Sequence, residues 1–459
     1  MNYKHASRRK FLKSAGFGLT ALLLGSSASA SDGLAPIKRR SLAGGVNPPI
    51  KNAHPETSGL YLWQQFCSYN GGQLNSFKQA LTDPFMQFCG LCIVGDSIVW
   101  GMEASGMNTF GVRMGGLGDA RNNGKSPSWV NLLHKWIGEE YYDSNIISEL
   151  PWPGTEGVAQ FTYENRIDVF PNMDSIVQKG AFSEYRANGS TLGVIWYVNM
   201  STSGGGPHSF SWMMTGDSFD LMFGVTPEGA AYRLYVDGVF QGQFDTSSID
   251  LKVSAGFGYS NTHKFPFKKN AIVTVEAVGG NVERDTLRIE SIRINRTIRV
   301  TNNGIVGISS GRYKDILSDS LRADDSFCFV ALGTNDSIMP GSLGNPMSPS
   351  ALSNNLGVML DYIVSSEVSP VLICSNEVLD RSARNYSMGQ VRAAISRLAD
   401  TRRVDFIDHY ALTKRLQQAG VTYTKGSTHP NDLGHYLMFD NTRNSIVNSD
   451  AFGRYMDVE

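Results

Sequence analysis

The chain has 459 residues, more than a single hydrophobic core usually supports, so two domains are expected. With 41% hydrophobic and 18% charged residues and a net charge of −1, the composition is that of an ordinary globular protein. It gives no electrostatic reason for a nucleic-acid or anionic-membrane partner, so neither is expected.

Residues 1–30 open with Ser7-Arg8-Arg9-Lys10-Phe11-Leu12-Lys13, continue through an apolar stretch at 15–24, and end in Ala28-Ser29-Ala30. Paired arginines, a short apolar run and a small-x-small site read as a twin-arginine signal peptide. The run is too short to span a bilayer, and Gly16, Gly18 and Thr20 dilute it. The expectation is export by the twin-arginine machinery to the periplasm or beyond, with no stable membrane insertion after cleavage.

Residues 31–88 combine a Pro- and Gly-punctuated linker with a segment at 60–88 whose apolar spacing is helical. Leu91-Cys92-Ile93-Val94, broken by Gly95-Asp96-Ser97, predicts a buried strand running into a tight turn. A 3.6-residue period predicts a helix at 128–137. From 138 to 295 short β-rich runs replace helical periodicity, at 192–198, 219–223, 232–239, 271–277 and 286–294. Their spacing suits a β-sandwich, with a hairpin turn at Val236-Asp237-Gly238-Val239. Beyond 296 strands at 327–332, 370–374 and 404–407 alternate with helices at 349–365, 388–399 and 433–447. That rhythm predicts an α/β domain with a parallel sheet and helices on both faces, in two parts (89–137 and 296–459), interrupted by an inserted β-sandwich at 138–295.

Five cysteines leave at least one thiol unpaired within the chain. Cys92, Cys328 and Cys374 lie in apolar runs and read as small buried hydrophobes. The CxxC of Cys89 and Cys92 has no second pair or nearby histidine to make a zinc site. One disulfide among Cys67, Cys89 and Cys92 remains open. The eight histidines are scattered, so no metal or other cofactor is expected.

In an open α/β sheet, ligands bind at the carboxyl ends of the strands. Gly95-Asp96-Ser97, the run 302–307 (Asn-Asn-Gly-Ile-Val-Gly) and Gly333-Thr334-Asn335-Asp336 all follow predicted strands, and His429-Pro430-Asn431-Asp432 precedes the last helix. Acyl transfer needs a nucleophile, a base and donors for the developing oxyanion. Ser97 at a strand-to-helix turn suits the first role and His429 the second. A glycine N–H in 304–307 and the amide of Asn335 suit the third.

These four blocks, in this order, resemble the SGNH (GDSL-like) hydrolase superfamily over residues 91–137 and 300–447. The resemblance implies a flavodoxin-like α/β fold and serine esterase activity. Its oxyanion-hole roles fall on the Ser97 N–H, Gly307 and Asn335. One position departs from the family: the aspartate usually found three residues before the catalytic histidine is Gly426 here. A dyad is therefore expected, its histidine oriented by a backbone carbonyl or by the hydroxyl of Ser427 or Thr428; a carboxylate from elsewhere would instead make a triad.

Asp96, Asp336 and Asp432 read as residues that cap and brace loops, and His435 as locally bonded. The insert resembles jelly-roll or lectin-like modules of carbohydrate esterases. Trp152, Trp196, Tyr197, Trp212, Tyr232 and Tyr259 are its candidates for sugar stacking, unless they are core. Removal of O-acetyl groups from an acetylated polysaccharide is the preferred activity. A lipase, thioesterase or aryl esterase on a small acyl substrate is the alternative, and a glycan-binding protein with a degenerate hydrolase a third. Because the motifs lie outside 138–295, excising that segment is expected to spare hydrolysis of small esters.

Overall fold

A computed structural model describes residues 66–105, 121, 126–143, 159–201, 207–279, 285–338, 348–379 and 384–450. The expected signal peptide, the linker and Trp152 lie outside the described residues. The elements in order are β1 (Cys67–Ser68), α1 (Gln73–Thr82), β2 (Phe88–Gly95), α2 (Ser97–Trp100) and α3 (Trp129–Tyr141). A β-rich stretch follows: β3 (Ala159–Val169), β4 (Ile176–Lys179), β5 (Ser183–Arg186), β6 (Val194–Asn199), β7 (His208–Val225), β8 (Ala231–Val236) and β9 (Val239–Asp245). After the short α4 (Ser248–Leu251) come β10 (Gly256–Val278), β11 (Thr286–Gly304), α5 (Ser310–Ser320), β12 (Phe327–Ala331) and α6 (Pro349–Ser365). The chain continues with β13 (Ser369–Cys374), α7 (Met388–Arg402), β14 (Asp405–Asp408), α8 (His409–Gln418), β15 (Thr424–Lys425), β16 (His429–Pro430) and α9 (Asp432–Val447).

The parallel strands lie in the order β11-β2-β12-β13-β14. Counted along the chain this is 2-1-3-4-5, the doubly wound flavodoxin-like order, whose switch point falls between β2 and β12. Side-chain alternation feeds both faces. Leu91 and Ile93 of β2, Phe327 and Phe329 of β12, and Val371 and Ile373 of β13 meet Phe77 of α1, Trp129 and Leu133 of α3 and Met438 of α9. Cys92, Val94, Cys328, Val330, Leu372 and Cys374 meet Tyr313 of α5, Leu356 and Met359 of α6, and Val391 and Ile395 of α7. Burying each large side chain stabilises the fold by about 1.5–3 kcal/mol. All five cysteines are buried and free. Cys89 and Cys92 cannot pair, because three residues apart on a strand they face opposite sides of the sheet.

Asp405 fixes the N-terminal segment. Its buried carboxylate accepts the N–H groups of Gly71 (2.9 Å), Gly72 (3.1 Å) and Leu74 (2.7 Å), satisfying donors at the start of α1.

The β-rich strands bury a core of their own, with Trp212, Phe219, Phe223, Tyr232, Val273 and Ile289. They are nevertheless hydrogen-bonded into the same sheet as the parallel strands, through β11. Its first half pairs with β6 and β7, and its second with β3 on one side and β2 on the other. The boundary expected at 295/296 falls inside this strand, and the one expected at 137/138 falls inside α3. Strands β7 and β10 run far past the short runs read from sequence. They carry polar, solvent-facing residues and register shifts at 264–271 that hide a simple alternation. The hairpin lies where it was expected, with Asp237 (φ 49°) and Gly238 (φ 76°) turning β8 into β9.

Excising 138–295 would remove the end of α3, all of β3 and half of β11, and should leave no cooperatively folding hydrolase. Joining Val169 to Ile292 by a two-residue turn preserves the antiparallel β3–β11 pair. With Phe85→Ser and Ile294→Thr to cover the exposed face, that variant should melt cooperatively by circular dichroism. The reverse outcome would place the division at 295 after all.

Candidate functional site

Three strand ends and one C-terminal loop meet at the β2/β12 switch point. Ser97 is the first residue of α2, directly after β2. The Asp96 carboxylate caps this single turn by accepting the Ile98 N–H at 2.9 Å. The N–H groups of Gly101 and Met102 close it on the Ser97 carbonyl, at 3.1 and 2.9 Å. Among the described residues the Ser97 N–H has no acceptor, as the first turn of a helix leaves it.

The end of β11 packs directly on that turn. A Cβ on Gly304 would lie 2.3 Å from the Trp100 nitrogen, so only glycine allows the approach. Buried Asn302 ties the two segments together, donating to the Val99 carbonyl (2.9 Å) and accepting the Gly304 N–H (2.9 Å). Gly307 takes φ +76° in open space, so its backbone conformation, not crowding, requires glycine. Its N–H has no acceptor among the described residues.

Beyond β12, Asn335 donates one amide hydrogen to the Ile308 carbonyl at 3.0 Å, which leaves its second N–H uncommitted. Asp336 is fully buried and accepts the Ser310 N–H at 2.9 Å, bracing the start of α5. Burial pushes its carboxyl up to about 6, and that of Asp96 up to about 7. Both are loop braces, in line with the reading from sequence.

His429 comes from the two-residue strand β16, where it lies opposite Lys425 of β15. Its Nε2 is 2.8 Å from Ser97 Oγ, although the residues are 332 positions apart. The loop before it is clamped from the end of β13. Asn376 donates to the Thr428 carbonyl (3.0 Å) and the Leu379 N–H to the Ser427 carbonyl (2.8 Å). Asn431 caps α9 through the Gly434 N–H (3.0 Å), and Asp432 accepts the Ser105 N–H (2.6 Å). His435 is buried, its ring within 3.1 Å of the Met102 carbonyl, and burial pulls its pKa down to about 4. Burial also lowers the His429 pKa, with the charge of Glu103 opposing it.

Ser97, Gly307, Asn335 and His429 therefore stand at one edge of the sheet. The orienting group expected behind His429 does not. Among the described residues nothing hydrogen-bonds its Nδ1; the Ser427 and Thr428 carbonyls accept from Leu379 and Asn376. The aromatic candidates also divide. Trp196, Trp212 and Tyr232 are buried core, while Tyr197 and Tyr259 are half-buried. Two residues at the site, Asn376 and Glu103, carried no signal in the sequence, since neither belongs to a motif. Among the described residues no cluster of His, Cys, Asp and Glu could hold a metal ion.

Residues 283–437 match the sequence model of the GDSL-like Lipase/Acylhydrolase family, a span that holds Gly307, Asn335 and His429. No curated protein matches the chain. Among solved structures it is similar to a peptidoglycan O-acetylesterase, at 12% identity and a TM-score of 0.38, covering 83% of this chain and 99% of that one. It is also similar to the lipase/acylhydrolase from Enterococcus faecalis (16% identity, TM-score 0.29, 33% of this chain and 77% of that). An acetylxylan esterase from Geobacillus stearothermophilus gives 16% identity and a TM-score of 0.29, over 32% of this chain and 72% of that. Superpositions this loose carry no argument, and the assignment stands on the family match together with the doubly wound sheet and its four motifs. Residues 283–437 thus mark a GDSL-like lipase/acylhydrolase domain of the SGNH type within this chain, and with it a carboxylic ester hydrolase.

Proposed function

We propose that Ser97 is the nucleophile of this esterase and His429 its general base. The Ser97 N–H, the Gly307 N–H and the free hydrogen of the Asn335 amide would receive the oxyanion. The observation that carries the reading is the 2.8 Å contact between Ser97 Oγ and His429 Nε2 beside two uncommitted backbone N–H groups. In this mechanism Nε2 takes the Oγ proton as Oγ attacks the ester carbonyl, and returns it to the departing alcohol. Water then attacks the acyl carbon as Nε2 takes its proton, and Oγ leaves with that proton, releasing the acid and restoring Ser97.

The substrate we favour is an O-acetylated polysaccharide met beyond the inner membrane, after export by the twin-arginine route. The β-rich region supports a glycan partner with one sheet face. Its register sets Val177, Ser211, Thr274, Tyr235 and Phe240 in a row, next to Met213 and Ile272. Tyr235 and Phe240 form an aromatic pair 5.7 Å apart, Ser211 and Thr274 share a hydrogen bond at 2.8 Å, and Phe240 is 55% exposed. A flat face of rings and hydroxyls suits the C–H and O–H surfaces of a sugar chain. The described residues contain no helix long and apolar enough to cross a membrane.

Four results are expected. Ser97→Ala should abolish ester hydrolysis in a protein that still folds, and wild-type turnover in that variant would end the proposal. Asn335→Ala should lower kcat by about a hundredfold or more with little change in KM, because it acts on charge present only in the transition state. The base must be neutral to act, and burial holds its pKa below the ordinary 6.5. Activity should therefore fall as pH drops through a kcat/KM midpoint below 6.5, read from a pH–rate profile. Assays on acetylated glycans and on p-nitrophenyl esters of increasing chain length test the substrate. Preference for acetyl and for the polymer is expected; rates that climb with acyl length would favour the lipase reading.

A further inference from the structure

We propose that Glu103 supplies, through its field, the negative charge that this site lacks at position 426, and that Lys425 competes with His429 for it. The inference rests on the assignment of Ser97 and His429 above.

Gly426 leaves the usual carboxylate position empty, and the His429 Nδ1 has no partner among the described residues. A different segment brings an acid to the His429 hairpin, where Glu103 pairs with Lys425. The turn after α2 holds Glu103 at φ +70°, a left-handed conformation that a residue with a Cβ seldom takes. The turn is pinned on both sides. The Met102 N–H donates to the Ser97 carbonyl, the Met102 carbonyl lies against His435, and the Ser105 N–H reaches Asp432.

The Glu103 side chain is only 16% exposed, and its Oε2 is 3.0 Å from Lys425 Nζ. Lys425 is the cross-strand partner of His429, so the two side chains leave the hairpin on the same face. Glu103 therefore reaches the face that carries His429, and its charge acts on the imidazole in the direction that favours the protonated form.

The other groups that face the ring do not fill this role. Ser97 is the proton donor. His435 of α9 is uncharged near neutral pH. The Asp432 carboxylate faces the Ser105 N–H, and the charge that acts on the imidazole is that of Glu103. Glu103 touches no reacting atom. It is a positioning residue, steadying the imidazolium formed while Ser97 attacks. Lys425, 71% exposed, draws part of its field toward solvent.

The test is the pH–rate profile of kcat/KM on an activated acetate ester. Glu103→Gln should move the acid-limb midpoint down by about half a unit or more and lower kcat several-fold, with KM unchanged. Lys425→Ala breaks the same ion pair, yet should move the midpoint up. Glu103→Asp should recover part of the lost kcat. If the pair only stabilised the turn, the two variants would behave alike. Midpoints that stay in place, or that move in one direction in both variants, overturn the proposal. Ser97→Ala, run alongside, separates the failures: an active Ser97→Ala enzyme refutes the nucleophile assignment, whereas an inactive one with unmoved midpoints refutes the role of Glu103 alone.

Discussion

Ser97 and His429 are 332 residues apart, yet Ser97 Oγ and His429 Nε2 lie 2.8 Å from each other. That distance is the constraint on which the rest of the architecture depends. A serine hydroxyl near its ordinary pKa is a poor nucleophile unless a base lies within hydrogen-bond reach. Neither residue can adjust freely. Ser97 sits on a one-turn helix sealed by Asp96 and by the end of β11, and His429 on a loop clamped by Asn376 and Leu379. The doubly wound strand order makes the meeting possible, because it opens the crevice between β2 and β12 where both segments end.

The buried polar groups around this crevice are chiefly braces. Asp336 holds α5 to the Asn335 loop, Asn302 holds β11 to α2, and Asp405 holds the N-terminal segment. Each satisfies backbone groups that would otherwise be buried without partners, at a cost of about 1–3 kcal/mol apiece. The site is thus fixed by hydrogen bonds among loops, over a sheet whose apolar faces supply most of the stability.

The legibility of this arrangement in the sequence follows its physics. β2, β12 and β13 were readable because parallel strands buried on both faces are nearly continuous apolar runs. Strands β7 and β10 were readable only over 219–223 and 271–277, since one face meets solvent and bulges break the alternation. The short helix α8 was missed, its few apolar positions, Leu412 and Leu416, being spent on a small side cluster with Tyr423. Ser97, Gly307, Asn335 and His429 stand out in the sequence because each lies at a strand or loop end inside a recognisable block. Glu103 and Asn376 were invisible, since only the folded chain brings them to the His429 loop. The continuity of β11 was hidden for a related reason: composition changes near residue 295 while the strand does not stop.

The central claim is that acyl transfer passes through Ser97, activated by His429. Its most direct measurement is labelling with a serine-reactive fluorophosphonate, followed by mass spectrometry of the digested protein. The account predicts a single stoichiometric adduct on Ser97, formed together with the loss of esterase activity and strongly slowed in His429→Ala. An inactivating adduct on a different serine, or full activity with Ser97 blocked, would contradict it.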